Sequence, residues 1–140
     1  INAVVKMRST KTAEEIEEDI EGLILLYPAF CIPDNWNERF PKLEDIPDSE
    51  ELWGMTLGRK FFETIHGYSV KEMLGKYSKN VLIMHGVDDA VVSYEYAKWA
   101  ESTYQNAKLE IFNHEGHGFS ENGNRRMEAM TMYFVHDCLR

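Results

Sequence analysis

The chain has 140 residues, with 15 Lys+Arg against 24 Asp+Glu for a formal net charge of −9, and 44% of its residues are hydrophobic. That is enough apolar side chain for one packed domain and too much for a disordered or fibrous chain. The acidic balance and scattered basic residues disfavour nucleic acid or an anionic membrane surface as partner.

Residues 1–21 place Val4, Val5, Met7, Ala13, Ile16 and Ile20 among charges, and the Thr12 to Glu15 spacing resembles a capping box, so a helix is expected there, broken near Ser9 to Thr12. Its acidic run, Glu14 to Glu21, reads as a solvated face. The chain opens on Ile1-Asn2-Ala3, with no initiator Met and no leader pattern. It is expected to lack its natural beginning, with a cytoplasmic location as the default. After Gly22, the unbroken apolar run Leu23 to Tyr27, stopped by Pro28, has the character of a central parallel strand buried on both faces. The whole apolar run, residues 22–30, is far short of the roughly 20 residues a membrane helix needs.

From Phe30 to Lys79 the core period disappears among Pro33, Pro41, Pro47 and several glycines, interleaved with Trp36, Phe40, Trp53, Phe61, Phe62, Tyr68 and Tyr77. A linker would be poorer in Trp and Phe, so an inserted cap is expected at about 30–79, with Arg59 to Ile65 as part of a small hairpin and a helix over Val70 to Tyr77. Asn80 to Gly86 then reads as a second buried strand, and Leu109 to Phe112 as a third. Tyr94 to Tyr104 between them has helical spacing behind a Ser93 cap, and Arg125 to Cys138 has the pattern of a closing amphipathic helix. The two cysteines, Cys31 and Cys138, stand in no CxxC or Cys/His spacing and are expected to be free thiols.

In an open parallel sheet, function collects in the loops that leave the carboxyl ends of the strands. Two such loops carry chemistry here: His85-Gly86-Val87-Asp88-Asp89-Ala90-Val91-Val92 and Asn113-His114-Glu115-Gly116-His117-Gly118-Phe119. A carboxylate that accepts from one imidazole nitrogen fixes the tautomer and leaves the other nitrogen as a general base. Asp89 is the expected acid rather than Asp88, because it stands three residues after Gly86 and just before an apolar triplet; His117, between two glycines, is the expected base. His85 is expected to bond backbone near the acid loop. His114 and His117 are three residues apart in a glycine-rich loop, not at the i and i+4 helical spacing of a zinc motif, so neither a metal nor a cofactor is expected.

These motifs, HGxxDxxV at 85–92 and GHGF at 116–119, resemble the C-terminal half of an α/β-hydrolase, and the order acid before histidine agrees with that fold. GLILLYPAF at 22–30 is similar to the family strand after the nucleophile helix, and residues 30–79 resemble the cap of cinnamoyl and feruloyl esterase-like hydrolases. The resemblance implies an α/β class, with a partial, doubly wound, mostly parallel sheet and an inserted cap. It implies a carboxylic ester hydrolase of the Ser-His-Asp type, with Asp89 and His117 catalytic and Trp53 and Val91 substrate-binding. The expected partners are a small-molecule ester and the N-terminal half of the fold, with a homo-oligomer left open. No GxSxG occurs in the chain, so the nucleophile is expected upstream of Ile1. The alternative is a binding module that keeps the acid and histidine without a nucleophile.

Overall fold

The computed structural model describes residues 20–52 and 54–140. The helix expected over residues 1–21 therefore lies, but for its last two residues, outside the described residues, and so does Trp53. Five strands and five helices follow in the order β1 (Gly22–Leu26), α1 (Ile32–Arg39), β2 (Ser49–Leu52), β3 (Met55–Gly58), α2 (Arg59–Ile65), α3 (Val70–Leu74), β4 (Asn80–Gly86), α4 (Tyr94–Thr103), β5 (Ala107–Phe112) and α5 (Glu121–Cys138).

The main sheet has the order β1-β4-β5, and both pairings are parallel. Its centre is β4, where Val81, Leu82, Ile83, Met84 and His85 are all buried. Because side chains alternate across a strand, Val81 and Ile83 pack on one side with Leu74, Ala97, Ala100 and Tyr104, while Leu82 and Met84 pack on the other with Phe112, Met127, Met130 and Phe134. The result is a three-layer α/β/α unit, with α3 and α4 on one face and α5 on the other. Each strand ends near one rim of the sheet, where its loop departs.

The sequence places β1 as a fully buried strand, but its five residues are half-buried. Both of its faces are covered, by Leu23 and Leu25 in one cluster and Ile24 and Leu26 in the other. What it lacks, among the described residues, is a hydrogen-bonded neighbour on its second edge. Its run of apolar residues on both faces is the pattern of a strand with neighbours on each side.

Between β1 and β4 the hairpin expectation needs correction. The hairpin is Ser49–Leu52 against Met55–Gly58, turned at Gly54, whose φ of +76° favours a residue without a side chain. Arg59 to Ile65 is instead a helix. Helical spacing lets Arg59 reach Glu63 at 2.7 Å and sinks Phe62 between Trp36 and Phe40, with ring centroids 4.8 and 5.5 Å away. Arg59 also donates to the carbonyls of Leu43 and Ile46. α1 is a helix that Pro33 conceals from a reading of breakers; proline is well tolerated in the first turn, where no amide donor is needed. The helix expected through Tyr77 ends at Leu74, before Gly75.

Elsewhere the elements fall close to expectation. Ser93 caps α4 by accepting from the Glu95 amide, and Ser120 caps α5 by accepting from the Gly123 amide at 3.2 Å. That cap starts α5 at Glu121, four residues before the expected Arg125. Both cysteines are free, Cys31 buried and Cys138 half-buried, and burial pushes the Cys31 thiol up, away from the reactive thiolate. No helix among the described residues is long and apolar enough to cross a membrane.

Candidate active site

β4 and β5 deliver two loops side by side. The Val87 amide donates to the Phe112 carbonyl and the Asp88 amide to the Glu115 carbonyl, each at 3.0 Å, so the loops are laced together by backbone before any side chain contributes. Gly86 permits this close approach. A Cβ at that position would stand 2.5 Å from the Glu115 carbonyl carbon and 2.8 Å from the Gly116 oxygen. Farther along, Gly116 and Gly118 form a bridge on either side of His117, and Gly118 has a φ of +102°, a conformation that favours glycine. Glu115 anchors the second loop by accepting from the Ser120 amide at 2.6 Å and the Ser120 hydroxyl at 2.5 Å. These bonds hold its carboxyl below the ordinary value.

Asp89 lies where the loops meet. Oδ1 accepts from the amides of Val91 at 2.8 Å and Val92 at 2.9 Å, an arrangement the turn after β4 supplies from its own backbone. Oδ2 accepts from His117 Nδ1 at 2.9 Å, and His85 Nε2 lies 3.1 Å from the same oxygen. Burial alone would raise the Asp89 pKa. The Val92 amide, the His117 ring and the Val91 amide outweigh it and hold the carboxyl below its ordinary value of 3.8.

Because Asp89 stays ionised, the His117 proton resides on Nδ1, and Nε2 keeps its lone pair on a side chain 36% exposed. His85, 0% exposed, faces two acceptors with Nε2, Asp89 Oδ2 and the Val92 carbonyl at 3.0 Å, so its proton sits there. Its Nδ1 has no partner among the described residues. The expected backbone bond of His85 is present, together with a close approach to the acid that sequence reasoning missed.

Asp88 is placed differently. It is exposed and stands 3.9 Å from a still more exposed His114, with no bond to His117. Val91 contributes its amide to Asp89, while the residue itself is 64% exposed and borders a cleft of about 650 Å³ together with Val87, Asp89, Ser93 and Tyr96. Tyr27 was also missed. It follows β1, and its ring centroid lies 4.8 Å from that of His117. The rule that strand ends carry function would have found it had it been applied to β1 as well as to β4 and β5. Among the described residues no group of three or more His, Cys, Asp or Glu side chains is placed to hold a metal ion.

The Asp89 shift fixes the sign of a pH effect. A carboxyl with a depressed folded pKa adds stability that is present above its unfolded value and is lost as pH falls through the folded one. The difference in denaturant midpoint between wild type and Asp89→Asn is expected to hold near neutral pH and to shrink below about pH 4. A difference that stays constant down to about pH 2 would show that the Asp89 bonds do not favour its charged form.

No curated protein matches the chain. Among solved structures it is similar to Est1E from Butyrivibrio proteoclasticus, with 27% identity and a TM-score of 0.78 over 91% of this chain and 55% of that one. The same protein with ferulic acid bound gives 29% identity and a TM-score of 0.76, over 91% and 54% of the two chains. The fold is also that of the α/β hydrolase domain-containing protein 10 from mouse, at 13% identity and a TM-score of 0.65 over 85% and 53%. The chain thus spans about half the length of the solved structures it matches. The family model described as TAP-like protein, an α/β-hydrolase model, matches residues 61–138, which hold β4, β5, α5 and both laced loops. With more than half its length in that match and a parallel sheet flanked by helices, the chain belongs to the α/β-hydrolases, in the TAP-like family, and forms part of an esterase-like fold.

Proposed function

We propose that the chain supplies the acid and the base of a serine hydrolase acting on carboxylic esters, with the nucleophile on a segment outside these 140 residues. The observation that carries the reading is the 2.9 Å bond between Asp89 Oδ2 and His117 Nδ1 at the carboxyl ends of adjacent parallel strands. It leaves Nε2 as the only basic nitrogen of that ring. In the proposed cycle, serine Oγ attacks the acyl carbon while its proton passes to Nε2. The bond to the alcohol oxygen then breaks as the imidazolium returns that proton to the leaving group. Water attacks the acyl-enzyme in the same way, giving its proton to Nε2. The acid departs, and the serine oxygen takes the proton back. Asp89 stays ionised throughout and stabilises the imidazolium.

Aryl esters, in the sense of esters of aromatic carboxylic acids, are the preferred class, because similar Est1E is seen with ferulic acid, which is such an acid. Residues 30–79 are proposed as a cap over the site. The rest of the fold, which would pair with the second edge of β1, is the proposed structural partner.

The test uses the full-length protein and a serine-reactive fluorophosphonate. One adduct by intact mass, on a chain longer than this one, with labelling strongly reduced in His117→Ala, is the expected result. No adduct together with no hydrolysis of aryl esters would overturn the reading and favour a binding module that keeps the acid and histidine without a nucleophile.

A further inference from the structure

The backbone of Tyr27 is unusual. Its amide continues the sheet by donating to the Met84 carbonyl at 2.8 Å, and its φ is +36°, in the left-handed region where a bulky side chain is strained. Glycine would make the same turn without strain, so the turn alone does not account for a tyrosine. Strain of this kind persists where the surrounding structure over-determines it, and here the ring has two definite neighbours. One is His117, at 4.8 Å between centroids and tilted by 56°. The other is Phe119, edge-on at 5.4 Å. Phe119 in turn stacks on Phe112 at 4.3 Å and 6°, and Phe112 is buried in the core. A continuous run of rings therefore leads from the core to the imidazole, and Tyr27 is the ring that touches it from the β1 side.

From this geometry we infer that Tyr27 is a positioning residue for His117: its ring, fixed by the left-handed turn after β1 and braced by Phe119, blocks the imidazole from swinging out of its bond to Asp89. The hydrogen bond to Asp89 fixes one atom of the imidazole and leaves rotation about that contact open. A wall against the ring removes that freedom, which matters because small displacements of a catalytic group carry large rate penalties. The assignment rests on the proposed role of His117, but its physical content, an immobilised imidazole, can be read without turnover.

The experiment compares Tyr27→Gly, Tyr27→Asn and Tyr27→Phe in the full-length protein. Glycine and asparagine tolerate positive φ, so both keep the turn while removing the ring. Expected for both is a fall in kcat on the order of tenfold to a hundredfold with KM little changed, and near-wild-type kcat in Tyr27→Phe. The His117 Nδ1 proton resonance is expected to persist in Tyr27→Phe and to broaden through solvent exchange in the other two. Full kcat and an unbroadened resonance in Tyr27→Gly and Tyr27→Asn overturn the inference, as does a loss confined to KM, which would make the ring a substrate wall. A Tyr27→Phe variant as impaired as Tyr27→Gly also overturns it, because the hydroxyl rather than the ring would then be at work. His117→Ala is assayed in parallel. If it retains turnover, the proposed function fails, whereas a dead His117→Ala beside an unaffected Tyr27→Gly defeats only the positioning role.

Discussion

Asp89→Asn and His117→Ala in the full-length protein are each expected to lower the turnover of an aryl ester by about 10⁴-fold while leaving the fold in place. The two act by different routes. His117→Ala removes the nitrogen proposed to take the proton. Asp89→Asn keeps the shape of the side chain but can turn an NH₂ group toward His117, which now donates to Oδ2, and toward His85 beside it. Either His117 then moves its proton to Nε2, leaving no lone pair for the nucleophile, or it leaves the contact. Oδ1 still accepts from the Val91 and Val92 amides in the variant, so the loop keeps its turn. Asp88→Asn, at an exposed carboxyl with only a 3.9 Å approach to His114, is the matched control and is expected to change turnover by less than about threefold. The measurement is kcat/KM with circular dichroism on the same samples. Near-normal turnover in either first variant, or a larger loss from Asp88→Asn than from Asp89→Asn, would remove the acid and base assignment.

The largest expected loss of stability comes from Gly86→Ala. The added methyl would meet the backbone of Glu115 and Gly116, and backbone cannot rotate aside as a side chain can. Relief requires the loop after β5 to shift, which breaks the Asp88 to Glu115 bond and draws His117 away from Asp89. A cost of about 3 kcal/mol, at the upper end for overpacking, is expected together with a loss of turnover. Gly58→Ala provides the comparison. Nothing lies within 4 Å of a Cβ there and φ is −78°, so its effect should stay within about 0.5 kcal/mol. Denaturant midpoints at constant slope measure both. Equal midpoints for the two variants would mean that the loops are not packed as closely as the structure has them.

Much of this protein could be read along the chain, for a definite reason. The strands β1 and β4 announce themselves as short apolar runs, because a strand covered on both faces has no polar side to alternate with, whereas β5 alternates Lys108 and Glu110 with apolar residues before Ile111 and Phe112. Helix α4 carries its cap in sequence, since Ser93 accepts from an amide two residues ahead, whereas the Ser120 cap was passed over by a reading that started α5 at Arg125. The acid and the histidine were legible because a parallel sheet sends every strand end to the same rim, so two loops distant in sequence must be neighbours there.

What the chain order concealed depends on contacts between parts that no local pattern links. The choice of helix over hairpin for Arg59 to Ile65 was decided by Phe62 packing against Trp36 and Phe40, more than twenty residues earlier. His85 and Asp89 are only four residues apart, yet their 3.1 Å approach exists because a strand end and a turn fold back on the same point. Tyr27 reaches His117 from ninety positions away through a backbone conformation that composition cannot announce. Local sequence determined the strands of the main sheet, the cap of α4 and the pair of chemical groups, since each depends on neighbours a few residues off. The tertiary structure alone decided which rings touch the histidine and how many donors share the acid, because those depend on distances that only packing sets.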